Sequence, residues 1–456
     1  MTFIRNTEAL VSHGSAAARR AALSIIEHGL AGADPYQATR RLLQLDGERL
    51  LVGDLVIDLS GGRRIFVLGA GKASYPIARA AEELLGDRIT DGVVICKYGQ
   101  EGKLRRSRML LAAHPIPDEA GLEGARRTLA LARQTGPGDV VLACYTGGSS
   151  ALLPYPIAGV SLEEKKAVNR LLLSCGANIV EINAVRKHLS QIKGGRLAMA
   201  IDSQAQLVTL TVSDVIGDPL DVITDPSVPD SSTLDDARDT LTKYDLWDRI
   251  PASVASFLRQ AGPEEETAKE ADFLGRKRCD HILVSADAAC NAAAKAAEAA
   301  GFETMILSTV LEGESAELGR TFAAIAKEIV QKQRPSRPPC AVIAGGETTV
   351  RLDDAFGQGG PNQEFALAAA AEIAGLEQVV IAGIDSDGTD GPTEKAGGLV
   401  DGHTLRRARD AGIDLHTCLK QHNVTQALVR LGEAVETGAT GTNVNDLKLL
   451  LVMPAE

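Results

Sequence analysis

Short segments that are apolar at nearly every position alternate with amphipathic segments over most of the chain. In the first half, apolar segments of this kind begin at Arg64, Gly92, Met109, Asp139 and Leu207. A half-exposed strand alternates between apolar and polar positions, whereas a strand covered on both faces stays apolar throughout. Amphipathic helices between such strands are typical of a sheet with helices on both sides. The pattern therefore predicts an α/β fold built on a parallel sheet.

The alternation is interrupted near the middle of the chain. A loop with proline and serine at Asp225–Thr233 is followed by a charged connector at Gly262–Arg278. Further apolar segments then begin at His281, Thr304, Cys340, Val379 and Leu447. We therefore predict two domains, residues 1–245 and residues 246–456, each with its own α/β core.

Composition narrows the class of protein. The 456 residues carry a formal net charge of −12, and they include 45 glycines but only 3% aromatic residues. An acidic chain lacks the basic surface that sequence-independent nucleic-acid binding needs, and no apolar run approaches the ~20 residues that span a bilayer. The seven cysteines are scattered without a CxxC pair, which favours reduced thiols. We expect a cytoplasmic protein that binds neither nucleic acid nor membrane, and whose glycines form tight turns near a ligand.

Two glycine-rich turns follow predicted strands, GAGKAS at Gly69–Ser74 and TGGSSAL at Thr146–Leu152. Backbone N–H groups in front of a helix suit a phosphate or carboxylate, and ligands bind at the carboxyl edge of a parallel sheet. GAGKAS fits neither the dinucleotide fingerprint nor the Walker A pattern. Ordinary strand–helix turns are the alternative. The residues predicted to contact an anion here are Gly69, Gly71, Lys72, Gly147, Gly148, Ser149 and Ser150.

A basic segment, NAVRKHLSQIKGGRLA at Asn183–Ala198, stands out in this acidic chain. Arg186 and Lys193 are seven residues apart and are predicted to share one face of a helix. Such a face is either a wall of an anion site or an ordinary solvated surface, and both interpretations stay open.

Two groups of aspartates follow predicted strands. Asp214 and Asp218 lie in SDVIGDP, and Asp385, Asp387 and Asp390 lie in GIDSDGTDG. Hard cations prefer carboxylate oxygens, and Mg²⁺ commonly takes one or two carboxylates together with substrate phosphates. Asx turns, which need no metal, are the alternative for each aspartate taken singly.

The segment GGETTVRL and the glycine loop after it add three further candidates, Glu347, Arg351 and Asn362. Together with the turn lysine and the aspartates, these residues fit chemistry on a small anion with a phosphate-bearing cosubstrate and a divalent cation. Phosphoryl transfer needs positioning and positive charge rather than a protein nucleophile.

At these motifs the sequence resembles the two-domain glycerate 2-kinases, whose C-terminal part is called the MOFRL domain and whose members are often labelled hydroxypyruvate reductase. The resemblance rests on GAGKAS, HPIPDEAG, GGSSAL, NAVRKHLSQIKGGRLA, SDVIGDP, GGETTV, GGPNQEFALA, GIDSDGTDGPTEKAGG and TGTNVNDL, which cover the chain from about residue 10 to 452. One departure is Ser149, which stands where relatives have a third glycine in the turn.

The resemblance implies a Rossmann-like first domain, a MOFRL-type second domain and an active site in the cleft between them. It implies the Mg²⁺-dependent transfer of a phosphoryl group from ATP to the 2-hydroxyl of D-glycerate, giving 2-phosphoglycerate. Lys72 and Arg351 match the family's catalytic pair. Asp218 is predicted as the proton acceptor and Asp214, Asp385 and Asp387 as metal ligands, although the sequence does not decide between these roles. Arg186, Lys193, Glu347 and Asn362 join the two glycine turns as predicted contacts to substrate and phosphate.

The alternative function is an NAD(P)H-dependent hydroxypyruvate reductase, against which the missing dinucleotide fingerprint argues. The expected partners are small molecules, D-glycerate and a nucleotide. The sequence leaves the oligomeric state open, with a homodimer as one option.

Overall fold

The structure is a computed structural model that describes residues 2–352 and 356–454. The chain divides into two compact units: one spans Pro35–Leu283, and the other joins Met1–Asp34 to Val284–Glu456. We call them the central unit and the terminal unit.

The helices of the described residues are short to medium in length. In chain order they are α1 (Thr7–Leu10), α2 (Ala16–Gly32), α3 (Pro35–Leu42), α4 (Ser74–Leu85), α5 (Glu119–Ala132), α6 (Ser149–Leu152), α7 (Leu162–Ser174), α8 (Ile179–His188), α9 (Arg196–Ala200), α10 (Leu220–Ile223), α11 (Leu234–Lys243), α12 (Ala252–Gln260), α13 (Ala286–Ala299), α14 (Ser315–Lys332), α15 (Pro361–Glu372), α16 (Thr404–Asp410), α17 (Leu415–Lys420) and α18 (Val424–Leu431). None of these helices combines the length and the apolar character that crossing a bilayer requires.

Within the part of the chain that the structure describes, the strands form three sheets. In chain order they are β1 (Leu43–Asp46), β2 (Arg49–Val52), β3 (Leu55–Asp58), β4 (Ile65–Ala70), β5 (Ile89–Lys97), β6 (Arg108–Ala112), β7 (Val140–Tyr145), β8 (Gln206–Val212), β9 (Lys277–Val284), β10 (Glu303–Leu311), β11 (Cys340–Gly346), β12 (Val379–Asp385), β13 (Gly397–Asp401), β14 (Ala434–Val435) and β15 (Asp446–Val452). Strands β1, β2 and β3 form a small antiparallel sheet.

The central unit contains the predicted parallel sheet. Its strand order is β6-β5-β4-β7-β8-β9, and the pairs from β6 to β8 are parallel. Every residue of β4 and of β7 is buried, as expected for central strands with helices on both faces. Because these strands are parallel, the loops after β4, β6, β7 and β8 all leave from the same edge. The predicted α/β class with a Rossmann-like parallel sheet is confirmed.

The terminal unit contains a mixed sheet with the order β10-β11-β15-β12-β13-β14. Strand β15 runs antiparallel between β11 and β12 and is buried at every residue. Helices α14 and α15 cover one face of the sheet, where Phe322 meets Phe365 edge-on with ring centroids 5.0 Å apart. Helices α2 and α13 supply the apolar side chains on the other face.

The units do not divide at the predicted boundary between residues 245 and 246. Helices α11 and α12 bury Leu241, Val254 and Leu258 against α7 and α8, so the chain after residue 245 continues the core of the central unit. The first 34 residues belong to the terminal unit, since the apolar face of α2 packs beside α13. Each of these contacts joins segments that are distant in the sequence. The pattern of apolar residues shows which face of a helix is buried but not which element it packs against.

A buried ionic cluster holds α2 in the terminal unit. The Arg19 guanidinium is fully buried and pairs with the Asp401 carboxylate at 2.5 Å and with the Glu433 carboxylate at 2.9 Å. Its remaining nitrogen donates to the carbonyl of Leu10 at 3.2 Å. Arg407 also pairs with Glu433, at 2.8 Å. Arg19, near the start of the chain, and the acidic residues near its end therefore form ion pairs that are shielded from water.

Candidate active site

The two predicted glycine turns are bonded to each other at the carboxyl edge of the parallel sheet. The amide of Lys72, after β4, donates to the carbonyl of Gly147, after β7, at 2.9 Å. The amide of Ala73 donates to the Thr146 hydroxyl at 3.1 Å, and the amide of Thr146 donates to the carbonyl of Ala70 at 3.1 Å. The turns therefore form one rigid platform from which the half-buried Lys72 side chain leaves.

Asp214 lies directly against this platform. It follows β8, the strand next to β7, and its carboxylate occupies the space that a side chain on Gly147 would take. Glycine is therefore required here by the close approach of the carboxylate rather than by a left-handed backbone. The structure brings together Lys72, Gly147, Gly148 and Asp214.

Gly147→Ala tests this contact. The added methyl overlaps the Asp214 carboxylate, which has to move, so we expect kcat/KM of the enzyme to fall by about 10-fold or more while the melting temperature changes little. Gly136→Ala is the matched control, because a methyl there meets its nearest atom, on Arg64, at an ordinary 3.4 Å. Equal changes of kcat/KM in the two variants would show that the contact between Asp214 and Gly147 is not needed for activity.

Other predicted residues of this half take different places. Gly69 lies inside β4, where a Cβ would come within 2.9 Å of the Cys144 carbonyl oxygen, so this glycine allows close strand packing instead of opening a turn. Ser149 is buried and Ser150 half-buried in α6, while Gly71 is buried where the turn begins. Asp218 is exposed, four residues beyond Asp214, and adopts a left-handed backbone conformation with φ 54°.

The prediction that Arg186 and Lys193 share a helix face is wrong. Helix α8 ends at His188, and Lys193 lies in the turn that follows, where it is buried and paired with Asp225. Arg186 donates to the Asn169 side chain at 3.2 Å, and burial lowers the pKa of both basic groups. Lys187 pairs in the same way with Asp230, at 2.8 Å. The basic side chains of this segment are therefore mostly engaged in internal ion pairs and hydrogen bonds, and they do not form an exposed cationic surface.

Lys165 is a buried amine that the sequence analysis did not predict. Its neighbours on α7 are polar, which is typical of an exposed helix. Its ammonium donates to the carbonyl of Leu189 at 3.0 Å, near the end of α8. Burial, with the charges of Lys193 and Arg186, lowers its pKa to about 7.

This pKa predicts a dependence of stability on pH. Between about pH 7 and pH 10 the unfolded chain keeps a proton on Lys165 that the folded chain has lost, so the free energy of unfolding rises with pH in that window. Lys165→Met removes this contribution. We expect the difference in unfolding free energy, wild type minus variant, to increase by about 1 kcal/mol per pH unit across the window. Urea denaturation of both proteins at several pH values measures it, and parallel profiles would contradict the assignment.

In the terminal unit, polar side chains meet where β11 and β12 end and β15 begins. Asp446 lies opposite both Gly346 and Asp385 in the strand register. Its carboxylate accepts from the Asn362 side chain at 2.6 Å, from the Lys448 ammonium at 2.8 Å and from Thr348 at 3.2 Å. The buried Asp446 carboxylate is therefore paired with one ammonium and accepts further hydrogen bonds.

Asp390 fixes the start of α15. Its carboxylate accepts from the backbone amides of Asn362 at 3.0 Å and of Gln363 at 2.9 Å. Burial raises the pKa of Asp390 to about 6, although those two amides oppose the shift. Asn362 is thereby fully buried and bonded, and it acts as a structural link between Asp390, Asp446 and Lys448.

Asp385 and Asp387 are two further carboxylates of this cluster, at the end of β12 and in the turn that follows it. Burial raises the pKa of Asp385 well above its ordinary value, and the carboxylates of Asp387 and Asp446 raise it further. The Asp387 amide donates to Asp385 at 2.9 Å, and the Asp387 carboxylate accepts from the amide and hydroxyl of Thr389 at 2.9 and 2.6 Å. These are the Asx-type turns that the sequence allowed, yet they also hold two carboxylates close together.

Over residues 2–352 and 356–454, no three acidic, histidine or cysteine side chains are grouped so that they could hold a metal ion alone. A magnesium ion that is shared with substrate phosphates needs only one or two protein carboxylates. The pair Asp385 and Asp387 fits that requirement, because a cation beside them would offset the repulsion that raises the pKa of Asp385.

Glu347 and Arg351 follow β11. The amide of Glu347 donates to the carbonyl of Leu311 at 2.9 Å, which continues the pairing of β11 with β10. Arg351 is exposed, and its backbone amide donates to the Glu314 carboxylate at 3.2 Å. The structure therefore places the Arg351 guanidinium on the surface of the terminal unit.

Comparisons with known proteins define the class. Residues 21–259 match a family model described as a domain of unknown function, DUF4147, and residues 340–446 match the MOFRL family. Among similar proteins is glycerate 2-kinase of Pyrococcus horikoshii, 40% identical over 95% of this chain and 97% of that protein. D-glycerate 2-kinase of Thermotoga maritima is 42% identical over 86% of this chain and 91% of that protein.

A solved structure supports the same conclusion. The crystal structure of glycerate kinase from Thermotoga maritima superposes with a TM-score of 0.83 at 39% identity, covering 95% of this chain and 99% of that one. The chain belongs to the glycerate kinase family. The family resemblance inferred from the motifs is confirmed.

Proposed function

We propose that the protein transfers the γ-phosphoryl group of ATP to the 2-hydroxyl of D-glycerate. The observation that carries the proposal is the platform of the central unit. There, a lysine and two glycines from two adjacent turns lie together with Asp214 at the carboxyl edge of a parallel sheet. An edge of this kind is where α/β enzymes bind small anionic ligands. Membership of the glycerate kinase family supplies the substrate.

The residues of the platform suit the charges of this reaction. Phosphoryl transfer spreads negative charge over the equatorial oxygens of the group in flight, and positioned cations stabilise that charge. Lys72 is the cation on the platform, and Arg351 is the second cation that we assign to the reaction. Asp214 or Asp218 would accept the proton of the substrate hydroxyl, and Asp214 is favoured because it lies against the turn.

A magnesium ion is part of the proposal. When bound, it would neutralise charge on the β- and γ-phosphates of ATP. Asp385 and Asp387 are the residues that would hold it, and their mutual repulsion makes them a suitable pair. Asn362 contributes by fixing Asp446 and the start of α15. We do not assign substrate contacts to Arg186 or Lys193, which are engaged in the central unit.

The experiment uses purified full-length protein with D-glycerate, ATP and Mg²⁺, and it measures ADP release. A second reaction measures NADH oxidation in the presence of hydroxypyruvate. The proposal predicts ADP release that requires D-glycerate and is abolished by EDTA, without NADH oxidation. Oxidation of NADH without ADP release would instead establish a reductase.

A further inference from the structure

His114 borders the same platform, although neither the sequence motifs nor the mechanism above gives it a role. It comes two residues after the end of β6. Its imidazole Cδ2 and Nε2 atoms lie 3.2 Å from the point where a Cβ on Gly148 would be. The Cγ of Lys72 lies 3.4 Å from that point. The imidazole and the lysine stem therefore enclose the space above one glycine.

The loop that carries His114 is anchored on both sides. Before it, the amide of Tyr98 donates to the carbonyl of Ala112, the last residue of β6, at 3.0 Å. After it, Asp118 caps α5 by accepting from the amide of Gly121 at 2.9 Å, and it also accepts from the Tyr98 hydroxyl at 2.9 Å. An imidazole on a loop that is held in this way can bind a ligand with little further loss of conformational entropy.

The platform also places a carboxylate and an imidazole beside different glycines of one turn. The Asp214 carboxylate lies on Gly147, whereas Lys72 and His114 lie on Gly148. A hydroxyl that must lose its proton suits the side of Asp214, and a carboxylate suits the side of the His114 imidazole, which can donate an N–H to it. Gly148 has no side chain and a left-handed backbone with φ 87°, which lets the His114 imidazole approach the turn closely.

We propose that His114 binds the carboxylate of the hydroxy-acid substrate beside Gly148 and so determines the affinity of the enzyme for D-glycerate. The proposal rests on the kinase function proposed above. A hydrogen bond to a charged group that is partly shielded from water is worth more than an ordinary one. Loss of the imidazole should therefore weaken glycerate binding specifically.

His114→Ala and His114→Gln test the proposal in the full-length enzyme. For His114→Ala we expect KM for D-glycerate to rise by about 10- to 100-fold while KM for ATP changes by less than about 3-fold. Glutamine keeps an N–H donor on a side chain of similar length, so His114→Gln should restore most of the affinity. Thermal melting checks that both variants are folded.

The outcomes separate this proposal from the kinase function. If the wild-type protein shows no transfer to D-glycerate, the proposed function fails and the role of His114 fails with it. If the wild type is active and His114→Ala has a normal KM for D-glycerate, only the role of His114 is overturned. An equal rise of both KM values, or no recovery in His114→Gln, would also overturn it, because either result indicates a general disturbance of the platform.

Discussion

Replacement of Lys72 by alanine should lower kcat by about 10²-fold or more, because an ammonium that faces developing charge is worth most in the transition state. Lys72 leaves from a turn whose amide is fixed on Gly147, so the backbone that carries the ammonium is held in place before substrate binds. Steady-state kinetics with saturating D-glycerate and ATP measure the effect. Circular dichroism should show an unchanged fold, since the half-buried Lys72 side chain contributes little to the packing of the core.

Lys277→Ala is a suitable control for loss of positive charge alone. Lys277 is exposed at the start of β9 in the same unit. The control should retain nearly full activity. Near-normal turnover of Lys72→Ala, or similar losses in both variants, would mean that Lys72 does not stabilise the transition state.

Replacement of Arg19 by methionine should destabilise the terminal unit by about 3–5 kcal/mol, because it leaves buried carboxylates without their cation. Asp401 loses its ion-pair partner at 2.5 Å, and Glu433 loses one of its two arginines while it keeps Arg407 and the Thr404 hydroxyl. Methionine has a similar length and fills much of the volume, so the loss reports mainly on charge. Denaturant unfolding followed by circular dichroism measures the change.

Arg20→Met provides the matched control. Arg20 is the next residue on α2 and is exposed. A surface substitution of this kind should change stability by less than about 0.5 kcal/mol. If Arg19→Met were equally mild, the first 34 residues would contribute no essential ion pairing to the terminal unit.

The arrangement of strands within each unit follows closely from the sequence. Segments apolar at nearly every position became β4, β7 and β15, which are buried along their whole length. The pattern is informative because a strand covered on both faces has no polar side to interrupt it. The position of the boundary between the units could not be predicted, since it depends on α2 packing beside α13 and on α12 joining the apolar cluster of α7, α8 and α11.

The candidate site was predicted in part for the same reason. Turns after parallel strands converge on one edge whatever their sequence, so Lys72, Gly147 and Asp214 were predicted together from their places in the chain. Lys193 was misplaced, because a seven-residue spacing indicates a shared face only while the helix continues, and α8 ends at His188.

Besides Lys165, three residues of interest were missed. Asp446 and Lys448 alternate with leucines at the start of β15. In the sequence this alternation suggests a half-exposed strand, and only the strand register shows that both polar side chains are buried. His114, the first residue of HPIPDEAG, lay inside the strand predicted over Met109–Pro117, and a single histidine is more often structural than functional. Only the three-dimensional structure shows that its imidazole lies beside Gly148.

The central claim is that the protein phosphorylates the 2-hydroxyl of D-glycerate with ATP, and the identity of the product tests it most directly. Phosphorus NMR of a reaction of the full-length protein with D-glycerate, ATP and Mg²⁺ distinguishes 2-phosphoglycerate from 3-phosphoglycerate. We expect 2-phosphoglycerate and ADP in equal amounts. Formation of 3-phosphoglycerate, or of ADP and inorganic phosphate without a phosphorylated acid, would contradict the account.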